Sequence, residues 1–239
     1  MDMMTYATIF LITAVPAILM LLGSLIAVYK TPSQKLTSAI QHFAAGIVFA
    51  AVAVELIPIL LSHMVRLDIA IGFILGIIIM LIIDHFNHKL EKVNAKEKQL
   101  PLGLILAVAI DLFIDGMLVG VSYLANQRSG IIIALALSLE TLFLGVTVII
   151  DMQKQYISPV KSVSIIFAMA ILIMIGAVLG YGIVSQLSSY WQMGIIAFGV
   201  TALLYLVVEE LLVKAHKLHD TKFATAMFFI GFLIVLLIS

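Results

Sequence analysis

Eight stretches of almost unbroken hydrophobic residues run through this chain, separated by short polar connections. They span approximately Ala7 to Tyr29, Gln41 to Leu61, Ile69 to Ile83, Pro101 to Leu124, Ile131 to Ile150, Val163 to Val184, Met193 to Val213 and Phe223 to Ile238. Each is near the roughly 20 residues that a helix needs to cross the hydrocarbon core of a bilayer, which makes them spanning helices rather than buried strands. The pattern predicts an all-α integral membrane protein of eight transmembrane helices. Little chain is left for anything else, so residues 1–239 read as a single transmembrane domain. The one sizeable connection is expected between His85 and Gln99.

Composition supports this reading. Hydrophobic residues make up 64% of the chain, charged residues 11%, and the mean hydropathy is +1.25. Soluble domains carry about 25% charged residues. The first apolar stretch follows Met1 to Tyr6 without a cationic leader and is longer than a signal-peptide core, so it is expected to be a retained helix. The absence of cysteine excludes disulfides and thiolate metal ligands.

Lysine and arginine set the expected orientation, because cytoplasmic loops accumulate them. Alternate connections carry eleven lysines: Lys30 and Lys35; Lys89, Lys92, Lys96 and Lys98; Lys154 and Lys161; Lys214, Lys217 and Lys222. The opposite set holds two arginines, Arg66 and Arg128. Both termini are therefore expected outside a cell (plasma) membrane, with the 85–99 and 214–222 connections in the cytoplasm. The lipid bilayer is the expected environment, and nucleic acid is not an expected partner.

Chemistry enters with six carboxylates inside the apolar stretches: Glu55, Asp111, Asp115, Glu140, Glu209 and Glu210, with no lysine or arginine among the spans. An ionised acid at mid-bilayer costs roughly 2.5 to 3.5 kcal/mol on insertion scales, so unpartnered acids must be protonated, hydrated or bound to a cation. Asp111 and Asp115 are four residues apart and project from one helical face. Glu140, at similar depth in the antiparallel neighbour, can complete a cluster. Three carboxylates on two facing helices make an oxygen-rich site suited to Mg, Ca, Mn or ferrous iron. The alternative is a set of protonated structural residues hydrogen-bonded between helices. Glycines beside the acids, Gly116 and Gly145, are expected at close helix contacts rather than at the ion, as are Gly72, Gly76, Gly176 and Gly180.

Histidine pairs follow two spans: His85 with His88, and His216 with His219. Each pair shares a helical face and could pass a metal to the cytosol, or could be solvated in a basic loop. His42, at the start of the second stretch, reads as interfacial with a possible place on the pathway. Methionines are scattered without a stripe, so a soft copper route is not indicated.

The acidic segments repeat. A shift of 155 positions lays Phe43 on Phe198, Glu55 on Glu210 and Leu56 on Leu211, and a shift of 29 lays Asp111-Leu-Phe-Ile-Asp115-Gly116 on Glu140-Thr-Leu-Phe-Leu144-Gly145. Each pair of segments lies an odd number of crossings apart, so the copies run in opposite directions. The expected arrangement is three helices, two central helices, then three more, as an inverted repeat of the kind that alternating access uses.

Over essentially its full length the chain resembles the ZIP family of divalent-metal transporters, most closely its small bacterial members. Phe43-Ala-Ala-Gly-Ile-Val48 followed by Glu55-Leu-Ile-Pro58 is similar to the family's second helix, and Val208-Glu209-Glu210-Leu211 to its seventh. The Asp111 and Glu140 segments occupy the places of the family's His-Asn-x-Pro-Glu-Gly signature. That signature is altered: Asp111 stands for the first His, Leu112 for Asn, Ile114 for Pro and Asp115 for Glu. In the fifth helix Glu140 stands for His, Thr141 for Asn, Phe143 for Pro and Leu144 for Glu. The resemblance implies a ZIP-like bundle, a homodimer and an elevator-like step moving helices one, four, five and six against two, three, seven and eight. The substitutions imply one metal site rather than two, straighter central helices, and selectivity moved away from zinc, which favours nitrogen and sulfur ligands.

The expected function is a divalent metal cation transporter moving metal toward the cytoplasm, with Mn, Fe, Zn and Cd not distinguished and the metal as substrate. Asp111, Asp115 and Glu140 are the central ligands, Glu209 and Glu210 extend the shell or line the route, and Glu55 sits at the related point of the second helix. Two rivals stand beside it. One is a non-transporting ZIP homologue, a metal sensor or partner subunit. The other is a membrane enzyme using Asp-x-x-x-Asp to hold magnesium; it is disfavoured because a diphosphate substrate needs Arg or Lys in the spans. The chain is not expected to be an enzyme.

Overall fold

The computed structural model describes residues 3–30, 32–63, 66–94, 102–219 and 221–239, and their side chains except at 86–94, 102 and 218–219. Among the described residues, ten α-helices and two π-helical turns follow in order: α1 (Met3–Tyr29), α2 (Gln34–Ala51), π1 (Val52–Leu56), α3 (Ile57–Ser62), α4 (Leu67–Asn94), α5 (Leu102–Ala125), α6 (Gln127–Lys154), α7 (Pro159–Val184), α8 (Ser189–Tyr205), π2 (Leu206–Leu211), α9 (Leu212–His219) and α10 (Lys222–Ile238). The α2–π1–α3 and α8–π2–α9 segments each form one continuous rod. Among the described residues, seven rods are long and apolar enough to cross a membrane, and α10, with 17 residues, is a shorter apolar helix at the lower end of the spanning range.

Local sequence sets several helix starts. Ser33, Asn126 and Thr221 accept backbone N–H groups of the first turn of α2, α6 and α10 through their side-chain oxygens. Pro159 begins α7, where its missing N–H costs nothing. The wide turn π1 ends two residues before Pro58, which has no N–H to return to Val54 and would crowd that carbonyl in a regular helix. No proline follows π2 in α9.

Some helix limits differ from the sequence reading. The α4 helix continues through His85 to Asn94, so the first ten residues of the expected 85–99 connection extend the third span. The second rod begins at Gln34 rather than Gln41, and α6 covers Gln127–Lys154 rather than 131–150. A period-based reading stops where hydrophobicity stops, whereas the backbone goes on helically through polar residues at the interface.

The most extensive packing joins α5 to α7, α1 to α6, α2 to α10 and α4 to α8, with α1–α7 and α5–α6 next. Small residues allow these approaches. A Cβ on Gly116 would collide with the Ile173 carbonyl, one on Gly176 with that of Phe113, one on Gly145 with that of Met20 and one on Gly23 with that of Leu142. Between the other partners, a Cβ on Gly46 would meet the Phe228 carbonyl, and one on Gly231 the Phe43 carbonyl. Such crossings suit bilayers, where tight van der Waals contact, not hydrophobic burial, holds helices together. The interior divides into a cluster around Val52, Leu118, Leu137 and Leu203 and another around Met20, Leu112, Ile149 and Ile173. Outward faces of α4 and α10 carry Ile74, Ile78, Leu81, Phe229 and Leu233, exposed as lipid-facing residues are.

Candidate metal site

Helices α5 and α6 are antiparallel neighbours joined through Asn126, and both run unbroken past their acids. Asp111 and Asp115 occupy one face of α5 a turn apart. Glu140 lies at the middle of α6. One carboxylate oxygen from each of the three lies within 4.8 Å of the others, the one grouping of three or more potential metal ligands among the described residues. Asp115 and Glu140 are buried, at 3% and 2% exposure, and Asp111 is half-buried. Asp115 Oδ2 and Glu140 Oε2 have no hydrogen-bond partner.

Neighbouring contacts fix this geometry. Thr141, next to Glu140, donates its hydroxyl to the Pro16 carbonyl at 3.0 Å, pinning α6 to α1. Gly116 and Gly145 bring α5 against α7 and α6 against α1. Leu112, next to Asp111 in sequence, is fully buried in the apolar cluster with Met20, Ile149 and Ile173.

Electrostatics limits what the cluster can be. Two unit charges about 5 Å apart repel by roughly 3 kcal/mol at an effective dielectric of 20. Three such pairs approach the whole stability of a typical domain, about 5–15 kcal/mol. The three acids therefore do not stand ionised and bare together; protons or a cation must offset the charge. Oxygens bound to one ion at 2.3–2.6 Å can be up to about 5 Å apart, so the triad spans one ion with little rearrangement. Two orphaned buried oxygens are the sort of group that an ion or a proton satisfies.

The other expected residues are placed as follows. Glu210, in π2, accepts from Lys214 Nζ at 2.9 Å, and both lie within electrostatic reach of Asp111 and Glu140. It borders the triad with its own partner, which corrects the expectation that the intramembrane acids lack basic neighbours: α9 carries Lys214 on as helix one turn past Glu210, within the seventh rod. Glu209 is exposed and is not part of the cluster. Glu55, in π1, is buried and accepts from Ser129 Oγ at 2.6 Å at the start of α6. Ser129 is eleven residues from Glu140, about 16 Å along the helix. Glu55 thus stands toward the opposite end of the bundle.

Among the histidines, His42 is buried and packs edge-on against His216, ring centroids 5.0 Å apart. His85 is exposed on α4 near Ile82. The side chains of His88 and His219 lie outside the described residues. Three contributors were not singled out from sequence: Lys214, Ser129 and Thr141. Only Lys214 carried a readable signal, its position four residues after Glu210 on one helical face.

Fold and composition define a class, a multi-pass helical membrane protein with a carboxylate triad of which two members are buried. Neither family models nor curated proteins give a match to the chain.

Proposed function

We propose that this chain is a divalent-cation transporter with ZIP-like architecture, and that Asp111, Asp115 and Glu140 form the site through which metal passes to the cytoplasm. The observation that carries the reading is the convergence of three carboxylates from two crossing helices, two of them with buried oxygens that have no protein partner. An all-oxygen set favours harder ions such as manganese or ferrous iron over zinc.

A 3+2+3 inverted repeat underlies the transport reading, and paired contacts support it. Gly76 faces the Phe198 carbonyl and Gly231 that of Phe43; both residues of the first contact map onto the second by the same 155 positions. Gly46 meets the Phe228 carbonyl, and its counterpart Thr201 donates to the Phe73 carbonyl at 3.3 Å. The two π-turns fall at related places, one holding Glu55 and the other Glu209 and Glu210. Inverted copies give two acids, Glu55 and Glu210, at matching depth from opposite faces, as an alternating route needs. The lysine-rich connections support a cytoplasmic position for the Glu210 end in a cell membrane.

The test is manganese uptake into proteoliposomes. Asp115→Asn should lower uptake or affinity at least about tenfold, the equivalent of about 1.4 kcal/mol. Unchanged uptake removes Asp115 from the site. A second reading, a metal-binding relative that does not transport, is favoured by Lys214 occupying Glu210; it predicts binding without uptake in the unaltered protein.

A further inference from the structure

We propose a second metal site, formed by His42 and His216 where the start of α2 meets α9, with nitrogen ligands that select borderline divalent ions such as zinc, cobalt or nickel. It stands independently of the carboxylate triad.

The two imidazoles, their planes 69° apart, make the same local hydrogen bond. His42 Nδ1 lies 2.9 Å from the Ser38 carbonyl, and His216 Nδ1 lies 2.6 Å from the Leu212 carbonyl. A carbonyl oxygen only accepts, so in both rings Nδ1 carries the proton and, in the neutral form, Nε2 carries the lone pair. That is the arrangement of metal-binding histidines, whose other ring nitrogen commonly donates to a backbone carbonyl that fixes tautomer and orientation. His42 is 1% exposed, and its Nε2 is buried without a hydrogen-bond partner. A buried lone pair left unused is costly unless something satisfies it.

Geometry allows one ion between the rings. With a nitrogen–metal distance of 2.0–2.1 Å, a ring centroid lies about 3 Å from the ion, so two rings on a tetrahedral ion have centroids about 5 Å apart. The observed separation is 5.0 Å. The frame is set as well: Ser38 Oγ donates to the Ala215 carbonyl at 3.0 Å, tying α2 to α9 at the residue preceding His216. His216 is exposed, which leaves an access route and room for water to complete the shell.

Titration of the full-length protein in detergent, with nitrogen-15 in its histidines and zinc chloride as the probe, tests this. Stoichiometric zinc should shift the Nε2 resonances of His42 and His216 together. His216→Ala, at an exposed position, should weaken zinc binding at this site at least about tenfold and abolish the His42 shift. Asp115→Asn should leave both shifts in place, which separates this site from the triad, and so should His85→Ala combined with His88→Ala. The proposal is overturned if His42 Nε2 does not move at saturating zinc, or if its shift survives His216→Ala.

Discussion

Lys214 follows Glu210 by one helical turn and holds its ammonium 2.9 Å from that carboxylate. The pair borders the triad, and the lysine's charge reaches Asp111 and Glu140. A tethered cation there opposes a divalent guest. A unit charge roughly 8 Å from a divalent ion opposes it by about 2–4 kcal/mol at effective dielectrics of 20–40, and the pair's partial exposure cuts this to the order of 1 kcal/mol. Lys214→Met should therefore tighten manganese binding about fivefold in calorimetric titration. Unchanged or weaker binding would show that this charge does not act on the cluster.

Ligand chemistry gives a selectivity prediction. With carboxylates alone at the centre, manganese, ferrous iron and cadmium should compete for uptake at least as well as zinc. Combining Asp111→His with Glu140→His should move preference toward zinc. A strict zinc preference in the unaltered protein contradicts the oxygen-shell argument, and no change in the double variant means that the ion binds elsewhere.

Sequence made much of this legible, for reasons specific to its residues. Apolar length alone gave the spans, because a bilayer forces every backbone polar group into helical hydrogen bonds. The four-residue spacing of Asp111 and Asp115, and the matched depth of Glu140, were enough to place three acids together. What could not be read depends on helix rotation and continuity. The same 155-residue shift that aligned Glu55 with Glu210 gave no sign that one would bind Ser129 and the other Lys214. The extension of α4 to Asn94 was hidden because polar residues outside the apolar zone look alike in helix and loop. The partnership of His42 with His216 joins positions 174 apart, and no local periodicity records it.

Close packing at Gly116 has a thermodynamic consequence. A methyl group there runs into the backbone carbonyl of Ile173, which cannot swing aside as a side chain can. Gly194 has only an ordinary contact, with the Asp68 carbonyl 3.4 Å from a built Cβ. Alanine ordinarily gains about 0.5–1 kcal/mol over glycine within a helix, while overpacking costs about 1–3 kcal/mol. Gly194→Ala should leave the melting midpoint in detergent unchanged or raised, and Gly116→Ala should lower it by several degrees. Equal midpoints for the two would remove the close α5–α7 crossing.

Orientation is open to a direct check because the chain contains no cysteine. Trp191, in the first turn of α8, and Tyr156, in the α6–α7 connection, are both exposed, at ends of the bundle expected on opposite faces. In intact cells a membrane-impermeant maleimide should label Trp191→Cys at once and Tyr156→Cys only after permeabilisation. The reverse pattern would turn the bundle over and, with it, the direction of proposed transport.

Glu55 separates binding from movement. It sits about 16 Å from the level of Glu140, hydrogen-bonded to Ser129 at the end of the bundle remote from Glu210. In this arrangement it is too far away to ligate an ion held by the triad. If the two halves exchange roles during a cycle, Glu55 takes the place on the outer path that Glu210 takes on the inner one. Glu55→Gln retains an oxygen to accept from Ser129, so the fold should tolerate it, but it removes the charge that an entering cation would meet. Uptake should fall several-fold while equilibrium manganese binding in detergent stays within about twofold, in contrast to Asp115→Asn, which should depress both. Equal losses of binding in the two variants would place Glu55 in the central site and exclude the separation described here; full uptake with Glu55→Gln would remove it from the path.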